Sequence, residues 1–427
     1  MNSQLFYQAR LIDPATGRDE KGGLLVQSGK IVDLGSHINV DHAPEGAEIF
    51  DCKGLILMPG LIDMRVQLGE PGEEHREDFT SGSKAALAGG ITSMVILPNT
   101  KPVIDDVATV EFVTRRASET NLAKIYCFGA ATKGLLGRDM AEFGLLAEAG
   151  ARGFTDGHLP IADAALMRRI LAYAKTFDLL LLQHPEEPSL AKGGVMNGGE
   201  LATRLGLPSI PACAEAMMIE RDLHLVRLTG GRYHASRVST ADAITALRRA
   251  KKEGLNVTSD TSPAYFALNE NEIGDYRTFA RLSPPLRGEE DRMAIVEGLA
   301  DGTIDVIVSD HTPLDQESKR LPFAQAEPGI VGLETLLPLT LELFHRGKIP
   351  LLPLLKTLTA HPSRLLKLSQ GTLEKGKPAD LLILDIEQPW VIDTSQFFSK
   401  SKNSPYDQRP VQGRVIQTFV EGRRLYG

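Results

Sequence analysis

Several side chains that could do chemistry follow segments with the pattern of buried strands. His184 follows LLLLQ and Asp310 follows DVIVS, and each residue type can serve as a metal ligand or as a base. Arg65 and Arg237 end two further segments of this kind, and a guanidinium group has no lone pair for a metal. Zinc catalysis needs about three protein ligands and an open position for water. We therefore expect Asp310 to pair with Arg65 or Arg237.

Strand and helix patterns alternate through the middle of the chain. Helical periodicity predicts helices at 163–177, 241–254 and 288–302, which lie between apolar segments typical of strands. The predicted strands are 60–68, 91–99, 124–132, 151–156, 179–186, 232–238, 256–263 and 305–313. Eight such units predict an α/β fold of the (β/α)₈ TIM-barrel type, whose site lies at the carboxyl ends of the strands. A doubly wound sheet usually carries a glycine-rich phosphate turn after its first strand, and this sequence has none there.

The two ends of the chain have a different character. Residues 1–57 and 371–427 alternate apolar and polar positions between turn residues, which predicts one small β-sandwich module built from both ends. The barrel domain is then expected at 58–370. The charged segment 315–323 after the last predicted strand is interpreted as a solvated loop.

Composition limits the classes of partner. The 427 residues contain 47 Lys and Arg against 55 Asp and Glu, a net charge of −8, which argues against binding to nucleic acid or an anionic membrane. No apolar run approaches the ~20 residues of a membrane span. Three scattered cysteines favour a reducing, cytoplasmic location.

Motifs along nearly the whole chain resemble those of dihydroorotases, which are amidohydrolase-type TIM barrels that hydrolyse a cyclic amide with zinc. The segment PGLIDMRVQLGEPG (59–72) is similar to the first metal motif of that family. The resemblance continues through LPNT, FTDGH, QHPEE, YHASRVST, SPPLR, VSDHTPL, GIVGLET and GTLEKGKPADLLILD.

The resemblance assigns six metal-ligand positions to this sequence. His184 and Asp310 keep ligand side chains there, and Asp310 would also be the general base, here a vestigial one. The other four positions hold Arg65, Gln67, Gly157 and Arg237. The resemblance therefore implies a remnant of the metal site, for which we expect no cofactor.

Positions that contact substrate in the family are altered as well. Gly69 stands where the family has an arginine, Ser283 where it has an asparagine, and Leu314 where it has a histidine. Asn99 and Arg287 match groups that could still contact a substrate.

Three functions are compatible with these residues. The first is a catalytically inactive dihydroorotase homologue of pyrimidine biosynthesis that assembles with the catalytic chain of aspartate transcarbamoylase, as some bacterial homologues without the His-x-His motif do. The second is an active dihydroorotase or related cyclic amidohydrolase with an unusual zinc site. The third is a sensor that binds a pyrimidine intermediate without turnover. A homo- or hetero-oligomer is expected in the first case.

Overall fold

The computed structural model describes residues 3–427. Eight parallel strands, labelled β1–β8 in chain order, form the barrel. They are β1 Leu61–Val66, β2 Ile91–Ile96, β3 Lys124–Cys127 with its continuation Gly129–Ala130, β4 Phe154–Thr155, β5 Leu180–Gln183, β6 Arg232–Ala235, β7 Val257–Thr261 and β8 Val306–Ile307. Each strand pairs in parallel with the next, and a bridge between Val66 and His311 closes β8 onto β1. The predicted barrel is confirmed, with strands shorter than the sequence pattern indicates.

Amphipathic helices surround the barrel. Several begin at side-chain caps, such as Asp106, Asp163 and Thr240, whose oxygen atoms accept the third helical N–H. The main helices are Phe79–Ala88, Val107–Thr120, Phe143–Ala149, Ala164–Thr176, Cys213–Thr229, Ala241–Lys252, Glu289–Ala300 and Leu336–His345. Shorter helices are Pro188–Ala191, Glu200–Leu205, Pro263–Ala267, Gln316–Arg320, Leu351–Lys356 and Ala360–Leu365, and a two-stranded sheet pairs Met196–Asn197 with Ser209–Ile210. Within residues 3–427, no helix is long and apolar enough to cross a membrane.

The inside of the barrel is filled by side chains. Met64, Val95, Leu182 and Val308 belong to one buried apolar cluster although they come from strands or strand ends on different sides of the barrel. Such residues can meet only across the interior, so the barrel is a packed core and not a pore. The polar site is therefore confined to the carboxyl ends of the strands.

Both ends of the chain contribute to one mixed sheet of eight strands. These are Ser3–Asp13, Arg18–Gln27, Lys30–Gly35, Glu48–Asp51, Ile56–Pro59, Leu381–Val391, Pro410–Val420 and Arg423–Tyr426. Phe6 and Phe419 lie on strands that are not neighbours in this sheet, yet their ring centroids are 5.0 Å apart. The sheet therefore folds over on itself around an apolar core.

Two segments differ from the sequence interpretation. Residues 392–409 leave the terminal sheet and lie on the barrel, where Asn403 bonds to the carbonyls of Thr312 and Gly329. The supposed solvated loop 315–323 contains the helix Gln316–Arg320, and its Lys319 is 4% exposed. The loop interpretation was wrong because Lys319 donates hydrogen bonds to three backbone carbonyls of neighbouring segments.

Candidate functional site at the barrel mouth

The side chains predicted from the strand ends meet at one end of the barrel. Arg65 is the last residue but one of β1, His184 follows β5, Arg237 follows β6 and Asp310 follows β8. All four are nearly buried, with exposed fractions between 1% and 7%. Charged groups at this depth must be paired, because an isolated buried charge is costly.

Arg65 fills the centre of the mouth. Its Nε donates to Asp310 Oδ1 at 3.0 Å, and its Nη2 donates to the carbonyl of Gly157 at 3.3 Å. Burial, followed by repulsion from Arg237, lowers the pKa of this guanidinium from its ordinary value. An arginine remains charged under such shifts, so a fixed cation stands where the resemblance places a metal ligand.

Arg237 forms the second centre of positive charge. Its Nη2 donates to His184 Nδ1 at 3.2 Å, its Nη1 donates to the carbonyl of Ser283, and Nη1 lies 3.7 Å from Asp310 Oδ2. Both Arg237 and Asp310 have positive φ, 57° and 51°, a strained region for these residues that recurs at functional sites. Together the two guanidinium groups contact residues at the ends of β4, β5 and β8 and in the loop after β7.

His184 is held in a form that suits this network. Because Arg237 can only donate, Nδ1 of His184 is the acceptor and the proton lies on Nε2. Nε2 faces Glu186 Oε1 at 3.7 Å. Burial and the charge of Arg237 lower the pKa of His184 to about 4, so the ring is neutral near pH 7. The lone pair that would bind a metal is already occupied by a guanidinium N–H.

Gly157 and Gly69 stand where the family has larger residues, and neighbouring atoms occupy the space that a side chain would need. A Cβ at Gly157 would lie 1.6 Å from Asn99 Oδ1, and a Cβ at Gly69 would lie 2.0 Å from the carbonyl of Glu73. Gly157 also has φ of 66°, which penalises most side chains other than Asn and Asp. An aspartate at position 157 would require the Asn99 side chain to move, and an arginine at position 69 would require the backbone at Glu73 to move.

An open cavity of about 220 Å³ remains above the arginines. Gln67 lies in its wall with its Oε1 2.6 Å from His158 Nε2. Burial, Arg237 and Arg65 lower the pKa of His158 well below its ordinary value, so this histidine donates to Gln67 as a neutral ring. Ser283 and Leu314, two positions altered relative to the family, also line the cavity.

The two predicted substrate contacts do not line this cavity. Asn99 donates to the carbonyl of Asp156 at 3.4 Å and does not line the cavity. Arg287 is 3% exposed and donates to Ser239 Oγ and Asn197 Oδ1. The structure gives Arg287 a framework role, because its donors serve buried protein acceptors and not the open mouth.

Sequence reasoning missed several members of the site. Asp260 accepts from the backbone N–H of Arg237 at 2.7 Å and lies 2.8 Å from His234 Nε2. Arg76 forms a bidentate pair with Glu327 across the mouth, at 2.9 and 3.0 Å. Asp260 could have been found as a polar residue near the end of β7, whereas nothing in the sequence marks Arg76 and Glu327 as partners.

Comparison with known proteins places the chain in a family. Residues 54–243 match the family model described as dihydro-orotase-like. A dihydroorotase of Anaplasma phagocytophilum is 43% identical over 99% of this chain and 94% of its own length. A dihydroorotase of Syntrophotalea carbinolica is also 43% identical, over 99% of this chain and 98% of its own length.

Solved structures agree on the fold. The L-hydantoinase (dihydropyrimidinase) of Arthrobacter aurescens superposes with a TM-score of 0.89 at 25% identity, covering 100% of this chain and 96% of the other. A dihydropyrimidinase of Brevibacillus agri superposes with a TM-score of 0.84 at 22% identity, covering 99% and 95%.

The fold is that of an amidohydrolase-type TIM barrel. This chain belongs to the dihydroorotase family. The zinc that the family resemblance implies does not fit the residues at the mouth, since two guanidinium groups, an amide and a glycine stand at four of the six positions. Within residues 3–427, no group of three or more His, Cys, Asp or Glu side chains could hold a metal ion.

Proposed function

We propose that this chain is a dihydroorotase-family protein without metal-dependent turnover. The observation that carries the proposal is the contact between Arg65 Nε and Asp310 Oδ1 at 3.0 Å in the centre of the mouth. A salt bridge occupies the carboxylate that would otherwise act as metal ligand and general base. The bond from Arg237 to His184 Nδ1 removes the second remaining ligand in the same way.

The chemistry of cyclic-amide hydrolysis supports the same conclusion. The reaction needs an activated hydroxide and an electrophile that polarises the amide carbonyl, and metal ions supply both in metal-dependent hydrolases. Asp310 alone could accept a proton, but its charge is already neutralised by Arg65. Both carboxylates that line the cavity, Asp310 and Glu327, are already paired with guanidinium groups.

Turnover is tested with purified protein in both directions between carbamoyl aspartate and dihydroorotate. We expect no conversion above the level of an Asp310→Asn variant prepared in parallel. Conversion that is abolished by Asp310→Asn would overturn the proposal and favour the alternative, an active cyclic amidohydrolase with an unusual zinc site. The names of the 43% identical relatives are the observation that favours that alternative.

We further propose that the chain serves as a structural partner of the catalytic chain of aspartate transcarbamoylase. The framework around the altered centre is intact, with a closed barrel and a complete terminal sheet. A fold that is retained without its catalytic centre suits a protein that acts through its surface, and this step rests on resemblance to inactive bacterial homologues. Size-exclusion chromatography of the two purified chains from the same organism tests it. A stable complex at micromolar concentration is expected, and two separate peaks would contradict the partnership.

A further inference from the structure

The structure contains a second cavity that is separate from the mouth. It has a volume of about 370 Å³ and shares no lining residue with the mouth cavity. It is bounded by the end of the helix Phe79–Ala88, the residues before and within the helix Leu336–His345, and the edge of the terminal sheet. This volume is within the ~300–1,000 Å³ typical of small-molecule sites.

Aromatic side chains form much of the wall. They are Trp390, Phe397, Phe398 and Tyr426. Trp390 is held in place because its Nε1 donates to the carbonyl of Gly413 at 2.9 Å. Phe398 is 49% exposed, and its ring lies edge-on to Tyr426 with centroids 6.2 Å apart. Fixed aromatic faces of this kind suit a planar ring, since stacking requires only a π-face.

Two carboxyl groups line the cavity, and Asp393 Oδ1 already accepts the backbone N–H and the hydroxyl of Ser395. Glu334 Oε1 accepts the backbone N–H groups of Phe398 and Ser399 at 2.8 and 3.2 Å. The second oxygen, Oε2, has no hydrogen-bond partner among residues 3–427. Burial raises the pKa of Glu334 to about 7, so the group can present either an acceptor or an acceptor and a donor. The polar edge of a nucleobase needs a partner of this type.

A guanidinium group supplies the positive charge. Arg414 lines the cavity, and its Cζ lies 5.9 Å from the centroid of the Trp390 ring. Arginine binds phosphate oxygens with two parallel N–H donors. The same group disfavours a cationic ligand, because it already occupies a cation–π position on the tryptophan.

We propose that this second cavity binds a nucleoside monophosphate. The base packs among the aromatic side chains of the wall and bonds to Glu334 Oε2, and the phosphate contacts Arg414. The proposal is independent of the state of the barrel mouth.

Trp390 is the single tryptophan of the chain, so its fluorescence reports on this cavity alone. The full-length protein is titrated with GMP and UMP, with guanosine and uridine, and with inorganic phosphate, and isothermal titration calorimetry serves as a second readout. We expect saturable quenching by at least one monophosphate, weaker quenching by its nucleoside, and none by phosphate. Absence of saturable quenching by either monophosphate at millimolar concentration would overturn the proposal.

Two variants locate the contacts. Glu334→Gln keeps the Oε1 acceptor and replaces Oε2 by an amide donor, so monophosphate and nucleoside should both bind about tenfold more weakly. Arg414→Gln should reduce the monophosphate to the affinity of its nucleoside and leave nucleoside binding unchanged. Arg115→Gln is the matched control, because Arg115 also lies 5.9 Å from an aromatic centroid, that of Phe112 outside the cavity. Melting temperatures of all variants establish that they fold, and unchanged affinity in both test variants would contradict the site.

Discussion

The mouth of the barrel and the terminal sheet are both buried, but by different means. In the sheet, the rings of Phe6, Phe50 and Phe419 contact one another with centroids 4.8 to 5.1 Å apart, in a cluster of apolar side chains. At the mouth, Arg65 and Arg237 are buried at 1% and 2% exposure against Asp310.

The two regions differ in how much they depend on exact partners. Apolar burial is non-directional, so each ring in the sheet contributes through area and packing. A buried ion pair contributes little net stability, yet removal of one partner leaves an uncompensated charge. The mouth is therefore sensitive to charge, and the sheet is sensitive to volume.

The largest expected effect is at Asp310. Asp310→Asn keeps the shape of the side chain and tolerates the positive φ, but it leaves Arg65 and Arg237 without their shared carboxylate. We expect the free energy of unfolding to fall by roughly 3–5 kcal/mol, measured by chemical denaturation.

The control for this variant lies in the terminal sheet. Asp19 pairs with Arg10 at 2.7 Å, and both side chains are at least one-third exposed. Asp19→Asn should cost less than about 1 kcal/mol because solvent screens the pair. Equal costs for the two variants would show that depth is not what distinguishes the mouth.

The second effect concerns volume in the sheet. Phe6→Leu removes part of a ring that is 0% exposed and contacts two other rings. We expect a loss of about 1–2 kcal/mol in the free energy of unfolding. Because no charge is involved, the loss should be the same at low and high salt, and a strong dependence on salt would argue against a purely apolar core.

A smaller effect concerns pH at the helix Gln316–Arg320, which follows β8. Burial, followed by repulsion from Arg281, lowers the pKa of Lys319 to about 7 from 10.5, while Glu327 opposes the shift. Between these values the unfolded chain binds more protons than the folded one, so the contribution of Lys319 to stability rises with pH.

Denaturation of the wild type and of Lys319→Met from pH 7 to pH 10 measures this contribution. The difference in free energy of unfolding should shift in favour of the wild type as pH rises, by on the order of 1–3 kcal/mol. A constant difference across the range would mean that the lysine stays charged in the folded protein.

The sequence was sufficient for the barrel and for part of its centre. Strand ends one, six and eight must converge in a closed barrel, so pairing of Asp310 with Arg65 or Arg237 was predictable, and both contacts are present. Each strand and helix is indicated by the spacing of apolar residues within a short segment, so their alternation can be predicted from the sequence.

Other features depend on contacts that no local pattern encodes. Arg287 was interpreted as a substrate contact, but its partners come from Asn197, Ile210 and Ser239, which are distant in sequence. Lys319 stands in a charged run that usually indicates a solvated surface. Its burial follows from carbonyl groups at Thr278, Arg281 and Glu327. Asp315, whose carboxylate accepts the N–H of Ser318, could have indicated the start of the short helix from the sequence. The burial of Lys319 could not have been predicted in this way.

Two guanidinium groups, those of Arg65 and Arg237, stand at positions that the family resemblance gives to metal ligands. Isothermal titration of zinc into chelator-treated protein, with elemental analysis of the dialysed product, tests this arrangement most directly. We expect no stoichiometric binding and no change in melting temperature after treatment with a chelator. One or two zinc ions bound per chain with a raised melting temperature would contradict the account.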